Sequence, residues 1–174
     1  ELLLEAATRR ITTGDTQGGM EVFEGLLGKV GYKLRIPFAF TVVAIVWRFL
    51  FLIWGWWLRD LAPALFGHCP AQEPDPEEDY RLRLFDRVHM ALAVSRPVEA
   101  ARFGLMYAIR SRRYGQGKHQ GRARIGYSLF LVGDLGNLAA SRANHHLDIG
   151  EALCHEAKDA QGLLAAAVSR NFLA

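Results

Sequence analysis

Residues 36–58 read IPFAFTVVAIVWRFLFLIWGWWL, and everything else in the chain is arranged before or after them. As a helix, 23 residues extend about 34 Å at roughly 1.5 Å each, against a bilayer core about 30 Å thick. The fit requires only modest tilt. The defect is Arg48, almost at the midpoint. A central arginine costs on the order of +3 kcal/mol on insertion scales. Each Leu, Ile, Phe or Val contributes about −0.3 to −0.6 kcal/mol, and the stretch holds 13 of them, so insertion prevails.

Helical spacing places Thr41, Ala44, Arg48 and Gly55 along one small, polar stripe between bulky residues. Small stripes let another helix approach closely, and an intramembrane arginine is usually paired inside protein or a watery cavity. These four residues are therefore the candidate docking face, for a carboxylate or carbonyl of a partner or for a lipid head. The competing reading is that Arg48 snorkels to one interface. A transport or proton-relay role finds little support, since the span holds no second ionisable residue. Trp54, Trp56 and Trp57 read as an aromatic belt, and Arg59 and Asp60 as a polar stop. Pro37 suits the first turn of the helix. Lys29, Lys33 and Arg35 precede the span and only Arg59 follows closely. That bias puts the N-terminus on the cytoplasmic, matrix or stromal side.

The chain has 174 residues, one domain's worth, and a formal charge of +3. Arginine outnumbers lysine by 17 to 4, which suits bidentate contacts to carboxylates and phosphates but equally follows from codon bias. Cys69 and Cys154 match no zinc or redox spacing and read as two buried thiols. The chain opens on Glu1, which reads as processing, clipping or partial observation, and residues 1–20 lack a signal-peptide pattern.

Residues 1–12 form a short helical pattern, and TGDTQGG breaks it. Met20, Phe23, Leu26, Leu27, Val30 and Leu34 then recur at helical spacing. This amphipathic helix suits a membrane surface or a neighbouring protein. Beyond the span, Pro63, Pro70, Pro74 and Pro76 with five acids over 73–79 read as a solvated linker. His68 and Cys69 lack further ligands for a metal. Helices over 80–94 and 97–113 form an antiparallel pair, the second opened by Ser95 and Pro97.

The stretch 110–124, RSRRYGQGKHQGRAR, holds cations and no acid. It reads as a mobile basic loop in which Arg110, Arg112, Arg113, Lys118, Arg122 and Arg124 contact anionic lipid or an acidic partner. GQGK lacks the Walker spacing, and with Tyr114 the only interleaved aromatic, nucleic acid is not expected. Residues 125–140 are apolar but too short to span, and Asp134 adds a cost; they read as a buried helix, with Asp134 a conceivable partner for Arg48. The last stretch reads as one long helix broken near Gly150 or Gly162. On it Asp148, Glu151 and His155 share a face, with His145 a turn earlier. Carboxylate and imidazole suit zinc or iron, but di-iron bundles repeat Glu-x-x-His on two helices and this spacing occurs once. His145 and His146 are the candidate haem or chlorophyll ligands, though neither lies in an apolar helix of spanning length. No metal and no cofactor is expected.

The chain thus reads as all-α: amphipathic helices over 1–35, a single-pass transmembrane helix over 36–58, a Pro/acidic linker over 59–79 and a C-terminal helical domain over 80–174. The expected function is a non-catalytic accessory subunit of a large membrane complex, mitochondrial or photosynthetic, in an organelle inner membrane rather than a bacterial one. Its partners are then other subunits of that complex, together with anionic lipids. The alternatives are a lipid-binding or membrane-shaping protein, a bacterial secretion or conjugation component, and a metal or haem protein.

Overall fold

The computed structural model describes residues 2–61, 75–114, 117–135 and 139–173. Among them are eight helices and no strand: α1 (Leu2–Thr12), α2 (Thr16–Lys29), α3 (Phe38–Leu61), α4 (Pro76–Leu92), α5 (Pro97–Tyr114), α6 (Gly117–Leu135), α7 (Ala140–Glu156) and α8 (Ala160–Leu173). The chain divides into two units, Glu1–Phe66 with Pro76–Tyr107 and Gly67–Asp75 with Ala108–Ala174. The division falls inside α5.

In the first unit α1 packs on α2 and α4. The α1–α2 turn uses Gly14 at φ +98°, a left-handed conformation that costs glycine little. Asp15 caps α2, its carboxylate accepting from the Gly18 N–H at 2.9 Å. The helix therefore starts inside the TGDTQGG stretch, because the Asp15 cap outweighs the low helix propensity of the glycines. Gly19 lets the helices touch: a Cβ there would meet Ile11 and sit 2.9 Å from the Ala7 carbonyl.

Helix α2 ends in a Schellman motif. Gly31 is left-handed at φ +79°, the Tyr32 N–H reaches the Leu27 carbonyl at 2.9 Å, and the Gly31 N–H reaches that of Gly28 at 3.1 Å. The motif directs Tyr32 edge-on against Phe85 of α4, with ring centroids 5.0 Å apart. Phe85 in turn contacts Phe103 of α5 at 5.9 Å. Phe23, Leu27, Leu34, Leu82, Phe85, Val88 and Phe103 are all fully buried. Helices α4 and α5 meet where Gly104 faces His89: a Cβ on Gly104 would lie 2.7 Å from His89 Nδ1. That nitrogen donates to the Ala100 carbonyl at 3.0 Å. The acids Glu77, Glu78 and Asp79 occupy the first turn of α4, where the helix dipole favours them. Arg81 pairs with Glu77 and Glu78, and Arg83 with Asp79.

The second unit is organised by a close crossing of α6 and α7. A Cβ on Gly121 would lie 2.8 Å from the Gly150 carbonyl and 2.6 Å from Cys154 Sγ; one on Gly150 would lie 2.8 Å from the Gly121 carbonyl. Ile125, Leu147, Cys154 and Ala166 form the core there. Burial first, then the Asp159 carboxylate, push the Cys154 thiol up to about 11.

Two sequence expectations are corrected here. The basic stretch 110–124 is helical at both ends, with α5 running to Tyr114 and α6 starting at Gly117; Gly121 serves close packing, not mobility. The C-terminal break falls between Glu156 and Ala160, while Gly150 and Gly162 lie inside helices. Residues 62–74, which include His68, Cys69 and most of the acidic linker, lie outside the described residues, as do the side chains of Trp57 and Asp134.

The α7–α8 break is a second Schellman motif, closed by the Asp159 N–H to the Cys154 carbonyl at 2.9 Å and the Lys158 N–H to the His155 carbonyl at 3.1 Å. Here the left-handed residue is Lys158, at φ +53°, where a side chain costs about 1 kcal/mol relative to glycine. Lys158→Gly is expected to raise the thermal midpoint by about 2–4 °C, measured by circular dichroism in detergent.

Candidate functional site: an arginine pair beside the apolar helix

Among the described residues, only α3 contains a stretch long and apolar enough to cross a membrane, Phe38–Trp56. Its two sides differ sharply. Thr41, Leu52 and Trp56 are buried, and Ala44, Ile45, Arg48, Phe49 and Gly55 are half-buried. Phe40, Val43, Trp47, Phe51 and Trp54 recur at helical spacing on the other side and are exposed, Trp47 to 72%. The stripe read from the sequence, Thr41, Ala44, Arg48 and Gly55, thus lies on the inward side. The tryptophans do not act together: Trp54 faces out and Trp56 in.

The inward position of Arg48 brings it to other residues of the first unit. Tyr32 and Arg102 of α5 both act on it or are acted on by it electrostatically. Arg102 is buried and clamps the segment that leads into α3. Its Nη2 donates to the carbonyls of Lys33 and Leu34, the latter at 2.9 Å, and its guanidinium lies over the Phe103 ring, 4.5 Å from the centroid. Those carbonyls lie between α2 and α3, where no helix supplies them with donors.

The electrostatics of the pair are incomplete. Burial first, then the neighbouring Arg48 cation, hold the Arg102 guanidinium below its ordinary range, while Glu99 acts in the opposite direction. Glu99 itself pairs with Arg96 at 3.2 Å. Arg48 Nη1 and Arg102 Nε are buried without a hydrogen-bond acceptor, and no carboxylate among the described residues forms an ion pair with either arginine. Both remain charged at neutral pH, since a guanidinium does not give up its proton in proteins.

Arg102 was not legible as a site residue. The available signal was a cation among Ala101, Phe103 and Leu105, but nothing local in the sequence relates it to Arg48.

The other candidates lie in the second unit. Arg122 makes a bidentate pair with Asp159, at 2.5 and 2.6 Å, and Arg124 donates to His146 Nδ1 at 3.0 Å. That bond fixes His146 as the neutral tautomer protonated on Nε2. Burial first, then Arg124, push its pKa down to about 3, and the ring packs edge-on against Tyr127. Arg112 and Arg113 occupy the last turn of α5, which complements the helix dipole. Arg113 is exposed; Arg110, Arg112 and Lys118 are half-buried. Asp148 and Glu151 are joined by Arg170 of α8, with the Asp148 contact at 2.8 Å. His145 and His155 are exposed, and no group of three metal-ligating side chains occurs among the described residues. No protein-family model, curated protein or solved structure matches the chain.

Two outcomes are expected. Arg102→Met removes the donor to the Lys33 and Leu34 carbonyls and should cost about 2–3 kcal/mol, read by chemical denaturation in detergent. Asp159 is held below the usual carboxylate range, chiefly by its hydrogen bond to Arg122. Its stabilisation is therefore present above the unfolded carboxyl value of about 4 and lost as pH falls below it. Asp159→Asn should cost about 3 kcal/mol at pH 7, and the gap from the parent protein should shrink on titration toward pH 3.

Proposed function

We propose that the protein is a non-catalytic structural subunit of a larger membrane complex, anchored by a single pass of α3. The carrying observation is the division of α3 into an inward side with Arg48 and an outward side of large apolar residues. Water does not favour an exposed apolar face of that size on a monomeric soluble protein, whereas hydrocarbon and neighbouring membrane subunits do. Helix α8 supports the assembly reading, because Leu164, Val168 and Phe172 recur at every fourth position and are exposed. The cations Lys29, Lys33 and Arg35 before the span favour the N-terminus on the cytoplasmic, matrix or stromal side. The setting we favour is an organelle inner membrane; a bacterial secretion or conjugation assembly is the alternative setting.

A lipid-binding role is the second reading, and the incompletely satisfied arginine pair favours it.

The subunit reading is tested on native membranes by alkaline extraction, then by native-gel sizing in mild detergent with mass spectrometry. The expected result is retention in the membrane pellet and migration with a fixed set of partners. Release at alkaline pH removes the membrane anchor, and migration as a lone, stable monomer removes the subunit.

A further inference from the structure

Between Glu24 and Asp60 the sequence contains no acidic residue. Two cations of that interval, Lys33 and Arg35, stand on the backbone that leads from α2 into α3, and both are exposed. Neither side chain forms an ion pair among the described residues. Arg83 and Arg170, also partly exposed, each meet a carboxylate.

The backbone under Lys33 and Arg35 is held in place. The Leu34 side chain between them is fully buried, so the two cations share the outer side of the segment. Arg102 grips the Lys33 and Leu34 carbonyls, and Tyr32 stands edge-on against Phe85. Charges on a held backbone lose less freedom on meeting a ligand than charges on a loose loop. Apolar side chains follow at once: Phe38 is 71% exposed and Phe40 69%. Cations, then aromatic rings, then an apolar helix is the order of layers that a chain meets on entering a bilayer from water. The Cα of Arg35 lies at most about 10 Å from that of Phe38. The headgroup layer is on the order of 6 Å deep on each side of the hydrocarbon, and long basic side chains span the remainder.

We propose that Lys33 and Arg35 form a docking surface for an anionic lipid leaflet, holding headgroup phosphates where α3 enters the hydrocarbon. Charge selects that partner. Guanidinium and ammonium groups both donate to phosphate oxygens, basic residues beside a span attract anionic lipid, and the chain offers these two no acid of its own nearby. The contact decides which end of α3 faces the anionic leaflet and the depth at which the helix stops. It rests on the membrane reading of α3, and the experiment separates the failure of one from the failure of the other.

All four tryptophans lie in α3. Trp47, exposed on the outward side, is about 14 Å along the helix from Phe38, inside a leaflet whose hydrocarbon is about 15 Å deep. A lipid with its head at Arg35 therefore lays its acyl chains beside Trp47. The full chain is reconstituted in vesicles of phosphatidylcholine and phosphatidylglycerol, with one or the other lipid brominated on its acyl chains, and quenching of tryptophan fluorescence is measured. Phosphatidylglycerol should be preferred at least about fivefold, the worth of one cation near an anionic surface. The preference should vanish in about 1 M salt, where the screening length is about 3 Å. It should also vanish in Lys33→Gln/Arg35→Gln, which should melt like the parent because both side chains are exposed and Arg102 holds only backbone. Arg9→Gln/Arg10→Gln removes the same charge from exposed positions of α1 and should keep the preference. A preference that survives Lys33→Gln/Arg35→Gln, or that Arg9→Gln/Arg10→Gln abolishes equally, would overturn the surface. Equal quenching by the two lipids in the parent would overturn it too, and would leave the cations to an acidic protein partner. Quenching by neither lipid would remove the membrane reading of α3 and the docking surface with it.

Discussion

The Arg102 clamp on the backbone between α2 and α3 is the constraint on which the first unit depends. The chain must leave α2, turn and enter the apolar helix, and the carbonyls of Lys33 and Leu34 in that passage have no helix to satisfy them. A buried carbonyl without a donor costs as much as a lost hydrogen bond, so some side chain must reach it. Arg102 does so from α5 with one nitrogen. The same side chain stacks on Phe103, which contacts Phe85, which contacts Tyr32. Tyr32 is placed by the Schellman motif that ends α2. The clamp and the aromatic chain therefore hold one short segment from two directions.

Placing an arginine there has an electrostatic consequence. Arg48 lies on the inward side of α3, and its charge acts on a second cation, Arg102. A chain that needed only a stable fold would do better with an apolar residue at position 48, since unpaired buried charge is among the least economical uses of a side chain. In the second unit the same residue type is used conventionally. Arg122 meets Asp159, Arg170 meets Asp148 and Glu151, and each guanidinium has its carboxylate within the unit. Among the described residues, neither Arg48 nor Arg102 forms such an ion pair.

Much of the architecture was readable because it rests on local periodicity. Apolar residues at three and four, Pro97 at a helix start and the long apolar run 36–58 each report their structure within a few residues. The errors fell where a distant contact overrides local composition. Gly121 looked like loop flexibility and is a contact point with Gly150. Gly150 and Gly162 looked like breaks, yet α7 ends at Glu156 and the left-handed turn beyond it is made by Lys158. The Asp148–Glu151–His155 face resembled a ligand set, and Arg170 of α8 joins its two acids.

The sequence by itself determined that the chain is helical, that one helix is apolar enough for a membrane, and that an arginine interrupts it. Those properties are sums over neighbours in the chain, so they survive without knowledge of contacts. Only the tertiary structure decided which way Arg48 faces and that Arg102 lies beside it. Two charges far apart in sequence become neighbours only when turns and helix crossings bring them together, and burial, which makes an unpaired guanidinium costly, exists only once the helices have packed.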